Sequence, residues 1–234
     1  MPIRFFNTLT RQIEDFAPRE PGVVRLYTCG PTVYDYQHIG NYRTFLFEDV
    51  LKRVLRWNGH RVRHVMNITD VGHLTSDADT GEDKMEKGAA REGKSVWEIA
   101  AFYTERFQHD IRALNIQDPD LWCKATEHIP HQIKMIEDLI ARGHAYKAAD
   151  GSVYFRVASF ADYGKLSHLE DRELRLGAAQ AATDSDEYSK DALADFALWK
   201  AHKPEDGDNA WDSPWGRGRP GWHLECSAMS LEYL

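Results

Sequence analysis

The sequence predicts an α/β fold built on a parallel β-sheet. Two runs rich in β-branched residues, at 23–27 (VVRLY) and 61–68 (RVRHVMNI), are typical of strands. Between them, apolar residues recur at helical spacing from Phe45 to Trp57, and a glycine two residues later ends the pattern. A strand, a helix and a strand within about 45 residues indicate a βαβ unit, whose two strands lie parallel.

The elements that follow mix helices with short strands. A polar, glycine-bearing stretch at 70–93 predicts a loop that leads to a short helix. Apolar periodicity predicts amphipathic helices at 96–114 and 128–142, and Gly143 closes the second. Two β-prone runs that flank residues 150–151 (DG) predict a hairpin.

The composition limits the class of protein. The chain has 234 residues, 42% apolar and 28% charged, which is typical of a soluble globular protein with one core or a main domain with an insertion. No stretch approaches the roughly 20 apolar residues of a membrane span, and the N-terminus lacks the apolar core of a secretory signal. Three widely spaced cysteines argue against a disulfide framework. We therefore predict a cytoplasmic protein with no membrane partner.

The charge of the chain gives no support to nucleic-acid binding, because 29 basic and 37 acidic residues leave a net charge of −8. It does not exclude RNA either, since a local basic track is enough for binding while acidic surface elsewhere keeps a protein soluble. One basic stretch runs from Arg43 to Arg63, and a solvated helix face and strand end is its simpler explanation.

Two segments far apart in the chain contain the residues with the clearest chemistry. They are residues 27–41 (YTCGPTVYDYQHIGN) and residues 218–229 (GRPGWHLECSAM), and each contains one of the three cysteines. In the first segment, His38, Gly40 and Asn41 fall where the predicted strand gives way to the helix. The amides at a helix N-terminus suit phosphate, and glycine lets a ligand approach the backbone.

The cysteines have two interpretations when only the residues are considered. Cytosolic cysteines this far apart are by default small, buried apolar residues. Thiolates are also zinc ligands, in tetrahedral sites that accept imidazole and carboxylate as well. Cys123 matches no motif and is interpreted as structural, whereas Cys29 and Cys226 remain open to either role.

Residues 38–41 (HIGN) are a variant of the HIGH tetrapeptide of class I aminoacyl-tRNA synthetases, and together with GWHLECSAM they resemble the cysteinyl-tRNA synthetase family. The resemblance extends over essentially the whole chain, which matches the first half of a full-length member. It implies a class I synthetase fold, in which an α+β connective region interrupts a Rossmann-type parallel sheet. We expect the first part of the catalytic domain at 1–115, the insertion at 116–215 and a return to the catalytic domain at 216–234.

The resemblance implies an ATP site around the tetrapeptide. Pro31, His38, Gly40 and Asn41 would contact ATP, which carries Mg²⁺ on its triphosphate. His38 and Asn41 would be the catalytic residues, because they would donate hydrogen bonds as negative charge builds at the α-phosphate. Asn41 stands where the motif has its final histidine; it keeps a donor but cannot be cationic.

The resemblance also implies a zinc site at Cys29 and Cys226. In the family the matching cysteines bind one zinc, and the thiol of the substrate L-cysteine joins the metal as thiolate. Zinc–thiolate bonding separates cysteine from serine better than a hydrophobic pocket does, because a hydroxyl is a harder and far less acidic ligand. Cys29, Gly30, Thr69 and Trp222 would line the substrate pocket. A turn or helix cap is the alternative role for Thr69, and a core position is the alternative for Trp222.

The chain departs from the family pattern near its end. Family members take a histidine and a glutamate as further zinc ligands from segments that would follow Leu234. The second ATP motif, KMSKS, is also missing; residues 84–88 (KMEKG) lie too early, and Glu86 would repel phosphate. Residues from Cys226 onward predict a helix whose apolar pattern stops without a cap. We therefore expect a C-terminally truncated catalytic domain.

The activity that the resemblance implies has two steps. ATP activates L-cysteine to cysteinyl-adenylate, and the cysteinyl group then passes to the terminal ribose of tRNA(Cys). A cysteine ligase of mycothiol biosynthesis, which passes cysteine to an amino sugar, is a rival hypothesis, although the residues at 30–34 (GPTVY) and 40–41 (GN) look more like those of the synthetase. Two further hypotheses are a folded, non-catalytic fragment and an unrelated nucleotidyltransferase with a HIGH-like motif.

Overall fold

The computed structural model describes residues 2–71, 88, 91–168, 195–203 and 209–234. Most of the predicted loop at 70–93, and the KMEKG sequence except its glycine, lie outside the described residues. The helices in the described residues are α1 (Ile39–Trp57), α2 (Val96–Ala113), α3 (Ile129–Ala141) and α4 (Trp222–Tyr233). The strands are β1 (Arg4–Asn7), β2 (Gln12–Asp15), β3 (Val23–Thr28), β4 (Arg61–Ile68), β5 (Leu121–Lys124), β6 (Ala145–Lys147), β7 (Val153–Phe155), β8 (Phe196–Ala201) and β9 (Gly218–Pro220).

The predicted βαβ unit is confirmed. β3, β4 and β5 form a parallel sheet in that order, with Thr28 beside Met66 and Ile68 beside Lys124. α1 connects β3 to β4, and α2 lies in the connection from β4 to β5. β5 is absent from the sequence prediction, because four residues are too few to show an alternating pattern.

Side-chain caps define where the helices of this unit begin. α1 starts at Ile39, before the apolar spacing becomes visible, because the His38 side chain accepts a hydrogen bond from the Gly40 amide. α2 begins after Ser95, which forms a capping box with Glu98. Such caps satisfy amides that have no partner within the helix. Among the described residues, no helix combines the length and apolarity that crossing a bilayer requires.

Both faces of the parallel sheet are covered, which is usual for this kind of sheet. On one face, Met66 and Ile68 of β4 pack in the same core as Phe107 of α2. On the other face, Val65 packs in a core with Met229 of α4. Neighbouring side chains of β4 therefore enter different cores, as the alternation along a strand requires, and α4 lies against the face opposite α2.

A second, antiparallel sheet has the strand order β6-β7-β8-β9. The predicted hairpin is confirmed as β6 and β7, with Tyr146 opposite Tyr154. β1 and β2 form a separate antiparallel hairpin that the sequence did not reveal. The second sheet shares a core with α3 and α4, whose buried residues include Ile136, Val153, Leu198, Trp199 and Leu224. β9 ends at Pro220 and α4 begins at Trp222, so the position of β9 in this sheet fixes the start of α4.

The chain leaves β3 and β4 in close contact at the carboxyl edge of the parallel sheet. The Thr69 amide donates to the Pro31 carbonyl at 3.0 Å, and the Val33 amide donates to the Thr69 carbonyl at 3.1 Å. Just before these hydrogen bonds along both segments, a Cβ atom at Gly30 would lie 1.8 Å from the carbonyl oxygen of Asn67. Only glycine permits this approach.

The inner face of α1 buries charged groups as well as apolar ones. Glu48, Asp49 and Lys52 are 8%, 4% and 1% exposed. Lys52 donates to the Asp118 carbonyl at 2.6 Å, whereas Oε2 of Glu48 has no hydrogen-bond partner among the described residues. Burial raises the pKa of Glu48 to about 7, although a hydrogen bond with Thr28 acts in the opposite direction.

This buried carboxyl predicts a pH-dependent loss of stability. Because the folded-state pKa of Glu48 lies above the unfolded value of 4.5, the free energy of unfolding falls as pH rises from 4.5 to about 7. Glu48→Gln removes the ionisation and should raise the free energy of unfolding at pH 8 by about 2–3 kcal/mol, with much less effect at pH 4.5. Urea denaturation at both pH values measures the difference.

The matched control is Glu137→Gln, at an exposed position of α3, which should change stability little at either pH. A gain from Glu48→Gln that is equal at both pH values would contradict the buried-charge explanation.

Candidate active site

The predicted site residues lie at the carboxyl edge of the parallel sheet. Cys29 and Gly30 follow β3, Thr69 follows β4, and His38 precedes α1. α4 packs on the face of the sheet opposite α2, and it brings Cys226 to the same edge. In open α/β sheets, ligands bind in the crevice at this edge.

The two cysteines of the predicted metal site meet. Their sulfur atoms are 3.5 Å apart, although 197 positions separate them in the chain. Cys29 is exposed and Cys226 is partly buried, so the pair is open to solvent on the side of Cys29. Cys123 is 1% exposed and its thiol donates to the Met66 carbonyl at 3.6 Å. Cys123 therefore belongs to the core, as its lack of a motif indicates.

The two thiols share a hydrogen bond that sets their acidity. The hydrogen bond between the two sulfurs lowers the pKa of Cys29 to about 7, against the opposing effect of burial. The same hydrogen bond, together with burial, raises the pKa of Cys226. Near neutral pH part of the population therefore carries a thiolate on Cys29, and thiolate is the form of cysteine that binds metals.

The sulfur geometry fits two corners of a zinc site. In a tetrahedral site with zinc–sulfur bonds of about 2.3 Å, two thiolates lie roughly 3.8 Å apart, and the sulfurs here are 3.5 Å apart. Among the described residues, no three His, Cys, Asp or Glu side chains are grouped so that they could hold a metal ion. The described part of the chain thus offers two sulfur ligands for such a site.

One buried amide connects the segments that carry the two cysteines. Asn67 is 1% exposed, and its Oδ1 accepts from the Gly30 amide at 3.0 Å and from the Cys226 thiol at 3.8 Å. Its Nδ2 donates to the Thr69 hydroxyl at 3.0 Å, and Thr69 in turn hydrogen-bonds Glu225. The sequence prediction gave Asn67 no role. A polar residue between the apolar residues Met66 and Ile68, in the half of β4 that is buried throughout, is the signal that marks it.

Two buried carboxyl groups lie beside this network. Glu225 is 2% exposed, and its pKa is raised well above the usual range by burial, with contributions from Cys226 and Asp70. Burial also raises the pKa of Asp70, although Thr126 donates to it through its amide at 3.0 Å and its hydroxyl at 2.7 Å. Both groups bind protons more readily than ordinary carboxyls, which limits the negative charge near the network.

The HIGH-like tetrapeptide forms the N-terminal cap of α1. Nδ1 of His38 accepts from the Gly40 amide at 3.0 Å, and Oδ1 of Asn41 accepts from the His38 amide at 3.1 Å. Gly40 is required for this capping box, because a Cβ atom there would lie 2.8 Å from the His38 ring. Since Nδ1 is an acceptor, the neutral imidazole carries its proton on Nε2. The exposed ring therefore presents a donor beside the helix N-terminus.

Trp222 lies one turn before Cys226 in α4, so the two residues share a helix face. Its indole stacks on the His223 ring with centroids 3.9 Å apart, and the His223 ring contacts Phe196 at 4.4 Å. Trp222 is partly buried rather than enclosed. This position suits a wall beside the cysteine pair.

The predicted residues thus form two groups at one edge of the sheet. The first group, connected through Asn67, consists of Cys29, Gly30, Thr69 and Cys226. The second group is the cap of α1, made by His38, Gly40 and Asn41. Pro31 lies between Gly30 and His38 in the sequence and is buried. Its carbonyl accepts a hydrogen bond from the Thr69 amide. In the part of the chain that the structure describes, no hydrogen bond connects the cap to the cysteine pair.

Several proteins with assigned names are similar to this chain in sequence. The family described as tRNA synthetases class I (C) catalytic domain matches residues 15–234. A Burkholderia lata protein named cysteine–tRNA ligase 1 is 53% identical and an Opitutus terrae cysteine–tRNA ligase is 49% identical. The two alignments cover 100% of this chain but 49% and 50% of those relatives, so the chain spans about half their length.

A solved structure shares the fold. Mycobacterium tuberculosis methionyl-tRNA synthetase, in complex with methionyl-adenylate, has a TM-score of 0.61 at 14% sequence identity, over 90% of this chain and 46% of that one. The similarity confirms the predicted class I synthetase fold with its parallel sheet. By its sequence and its fold, the chain belongs to the class I (C) tRNA synthetase catalytic domain family.

Proposed function

We propose that this chain supplies the cysteine- and ATP-binding part of a cytoplasmic cysteine–tRNA ligase. The observation that carries the proposal is the pair of sulfur atoms 3.5 Å apart at the carboxyl edge of the sheet. The names of the two relatives support the choice of amino acid. In this activity, ATP and L-cysteine give cysteinyl-adenylate and pyrophosphate, and tRNA(Cys) then takes the cysteinyl group.

The proposed ATP site lies at the start of α1. Nδ1 of His38 and Oδ1 of Asn41 accept hydrogen bonds in the cap. The Nε2–H group of the imidazole and the side-chain Nδ2–H groups of Asn41 are left as donors. These donors and the positive end of the helix dipole would stabilise the charge that builds at the α-phosphate. Gly40 and Pro31 form the adjoining backbone, and Mg²⁺ accompanies the triphosphate.

The proposed cysteine site lies at the sulfur pair. Cys29 and Cys226 would hold zinc, which when bound supplies a soft Lewis acid that takes a thiolate in preference to a hydroxyl. Gly30, Thr69 and Trp222 would surround the substrate.

The two groups divide the first reaction step between them. The sulfur end fixes the thiol of the amino acid, and the helix end fixes the triphosphate, so the carboxylate meets the α-phosphate already oriented. A carboxylate oxygen forms a bond to the α-phosphorus as the bond from that phosphorus to pyrophosphate breaks. His38 and Asn41 stabilise the charge on the phosphoryl oxygens, and this step transfers no proton.

The second step distinguishes the proposed ligase from its rivals. A ribose hydroxyl of tRNA attacks the carbonyl carbon of the adenylate, and AMP leaves. A cysteine ligase of mycothiol biosynthesis would give the same adenylate but use an amino sugar as acceptor. Cysteine found on the sugar amine and none on tRNA would overturn our choice, and ATP–pyrophosphate exchange that ignores cysteine would indicate an unrelated nucleotidyltransferase.

Removal of one sulfur tests the zinc site. We expect Cys226→Ser to lower zinc content and cysteine-dependent ATP–pyrophosphate exchange together. Loss of a residue that only supports a metal ligand costs about 10–100-fold, and loss of a ligand itself should cost at least as much. Zinc is measured on this chain and on a chimera in which the remaining half of the Burkholderia lata relative follows residue 234. Exchange is measured on the chimera.

The matched control for the zinc test is Cys123→Ser, whose sulfur lies in the core. Full exchange without zinc, or an equal loss of zinc in the control, would overturn the proposed site. Stoichiometric zinc only in the chimera would place the other ligands in the added half. Stoichiometric zinc in both proteins would mean that this chain completes the site, and His223 would be the first ligand to test.

The two roles of His38 can be separated by two substitutions. His38→Ala removes both the cap and the imidazole, so it should lower the free energy of unfolding by about 1 kcal/mol and slow adenylate formation by roughly 10²–10³-fold. His38→Asn restores a capping side chain without the imidazole, so stability should return while the rate stays low. Urea denaturation and single-turnover adenylate formation in the chimera give the two readouts. Recovery of the rate by asparagine would show that His38 acts only as a cap.

A further inference from the structure

The distance between the two reactive sulfurs must be set by noncovalent contacts. Cys29 lies in the loop after β3, Cys226 lies in α4, and both are free thiols. These two elements reach the edge of the sheet from different layers, and 197 positions of chain separate the cysteines. A shift of either element would change the sulfur–sulfur distance, so a residue that contacts both is the natural place to look for its control.

We propose that Asn67 is the positioning residue that sets the distance between Cys29 and Cys226. Its side-chain oxygen accepts from the amide of Gly30, directly after Cys29, and from the thiol of Cys226. One atom thus contacts both cysteine segments. The proposal rests on the proposed function only for what the two sulfurs bind.

Asn67 holds the Cys29 segment through its side chain and its backbone. The Gly30 amide lies 3.0 Å from Oδ1, which fixes the direction of the peptide group that follows Cys29. The carbonyl oxygen of Asn67 packs so closely on Gly30 that no Cβ fits there. Movement of the segment toward the strand is therefore blocked by contact, and movement away breaks a buried hydrogen bond.

Asn67 holds the Cys226 segment by a direct and an indirect contact. The direct contact is the 3.8 Å hydrogen bond from the Cys226 thiol. The indirect contact runs from Nδ2 to the Thr69 hydroxyl at 3.0 Å and from Thr69 to Glu225, the residue before Cys226. Asn67 is 1% exposed and Glu225 is 2% exposed, so water does not compete strongly for these hydrogen bonds.

A merely structural role for Asn67 makes a different prediction from a positioning role. Any buried amide contributes to stability when its hydrogen bonds are satisfied. A positioning residue should also change how well the two sulfurs bind one atom between them, when the folded fraction is held constant. The test therefore needs a probe that reports on sulfur–sulfur geometry in the folded protein.

Phenylarsine oxide is such a probe. Its trivalent arsenic forms two As–S bonds with two neighbouring thiols, and the oxygen leaves with both thiol protons as one water molecule, so nothing is oxidised or reduced. Binding requires neither zinc nor ATP nor tRNA. In a Cys123→Ser background the chain contains only Cys29 and Cys226, and the loss of two thiols per chain measures binding.

We expect Asn67→Ala to weaken phenylarsine oxide binding about tenfold, because the half-buried Gly30 amide and the buried Thr69 hydroxyl lose their partner. The matched control is Gln132→Ala. Gln132 is a buried amide, 0% exposed, that donates to the Ala125 carbonyl at 3.0 Å and has no hydrogen bond to either cysteine segment in the described chain. This control should lower the melting temperature but change the affinity less than about twofold.

A second variant covers the case in which Asn67→Ala does not fold. Thr69→Val removes the partner of Nδ2 but leaves the two contacts of Oδ1, so it should weaken binding by a smaller factor, about threefold. Circular dichroism confirms that each variant is folded at the temperature of the titration.

Two outcomes would overturn the proposal. Wild-type affinity in Asn67→Ala, or in Thr69→Val when the alanine variant is unfolded, would overturn it. Equal losses in Asn67→Ala and Gln132→Ala would show general destabilisation and would overturn it as well. Failure of the proposed function is a separate result. If the wild-type chain captures phenylarsine oxide but the chimera shows no zinc and no exchange, the ligase is refuted and the role of Asn67 stays intact.

Discussion

The candidate site depends on the parallel pairing of β3 with β4 and on the contact that follows it. Parallel neighbours end at the same edge of a sheet, so Thr28 beside Met66 brings the next residues of both strands together. There Gly30 packs against the carbonyl of Asn67 and donates to its side chain. This contact fixes the chain beside Cys29, and the hydrogen bond from the Thr69 amide to the Pro31 carbonyl continues it.

α1 joins the two ends of the site. Its first turn holds the His38 cap, and one of its buried residues, Glu48, hydrogen-bonds Thr28, which precedes Cys29. Capping and phosphate binding are compatible uses of the tetrapeptide, because the cap engages Nδ1 of His38 and Oδ1 of Asn41 as acceptors and leaves donors on both side chains. The tetrapeptide thus orients its remaining side-chain donors through the hydrogen bonds by which it caps its own helix.

The sequence predicts the parts of the fold that depend on local patterns. The strands β3 and β4 and the long helices follow from periodicity, but the start of α1 depends on the His38 cap rather than on apolar spacing. β5 is too short to show a pattern. The pairing of Cys29 with Cys226 comes from family resemblance, since no spacing rule joins residues 197 positions apart. Asn67 acts through a contact with a residue 159 positions away, which periodicity cannot reveal.

Charge is distributed unevenly along the site, and this distribution favours one orientation for an amino acid. At the sulfur end, the thiolate lies on Cys29, the more exposed sulfur, where water solvates it, while burial keeps Glu225 and Asp70 closer to their neutral forms. At the other end, the amides and donors of the α1 cap create positive potential. A carboxylate is therefore favoured toward α1, because a second negative charge beside the thiolate of the metal-free pair would be repelled at close range. In the proposed ligase, this electrostatic gradient along the edge of the sheet would place the ATP end at α1 and the cysteine end at the sulfurs.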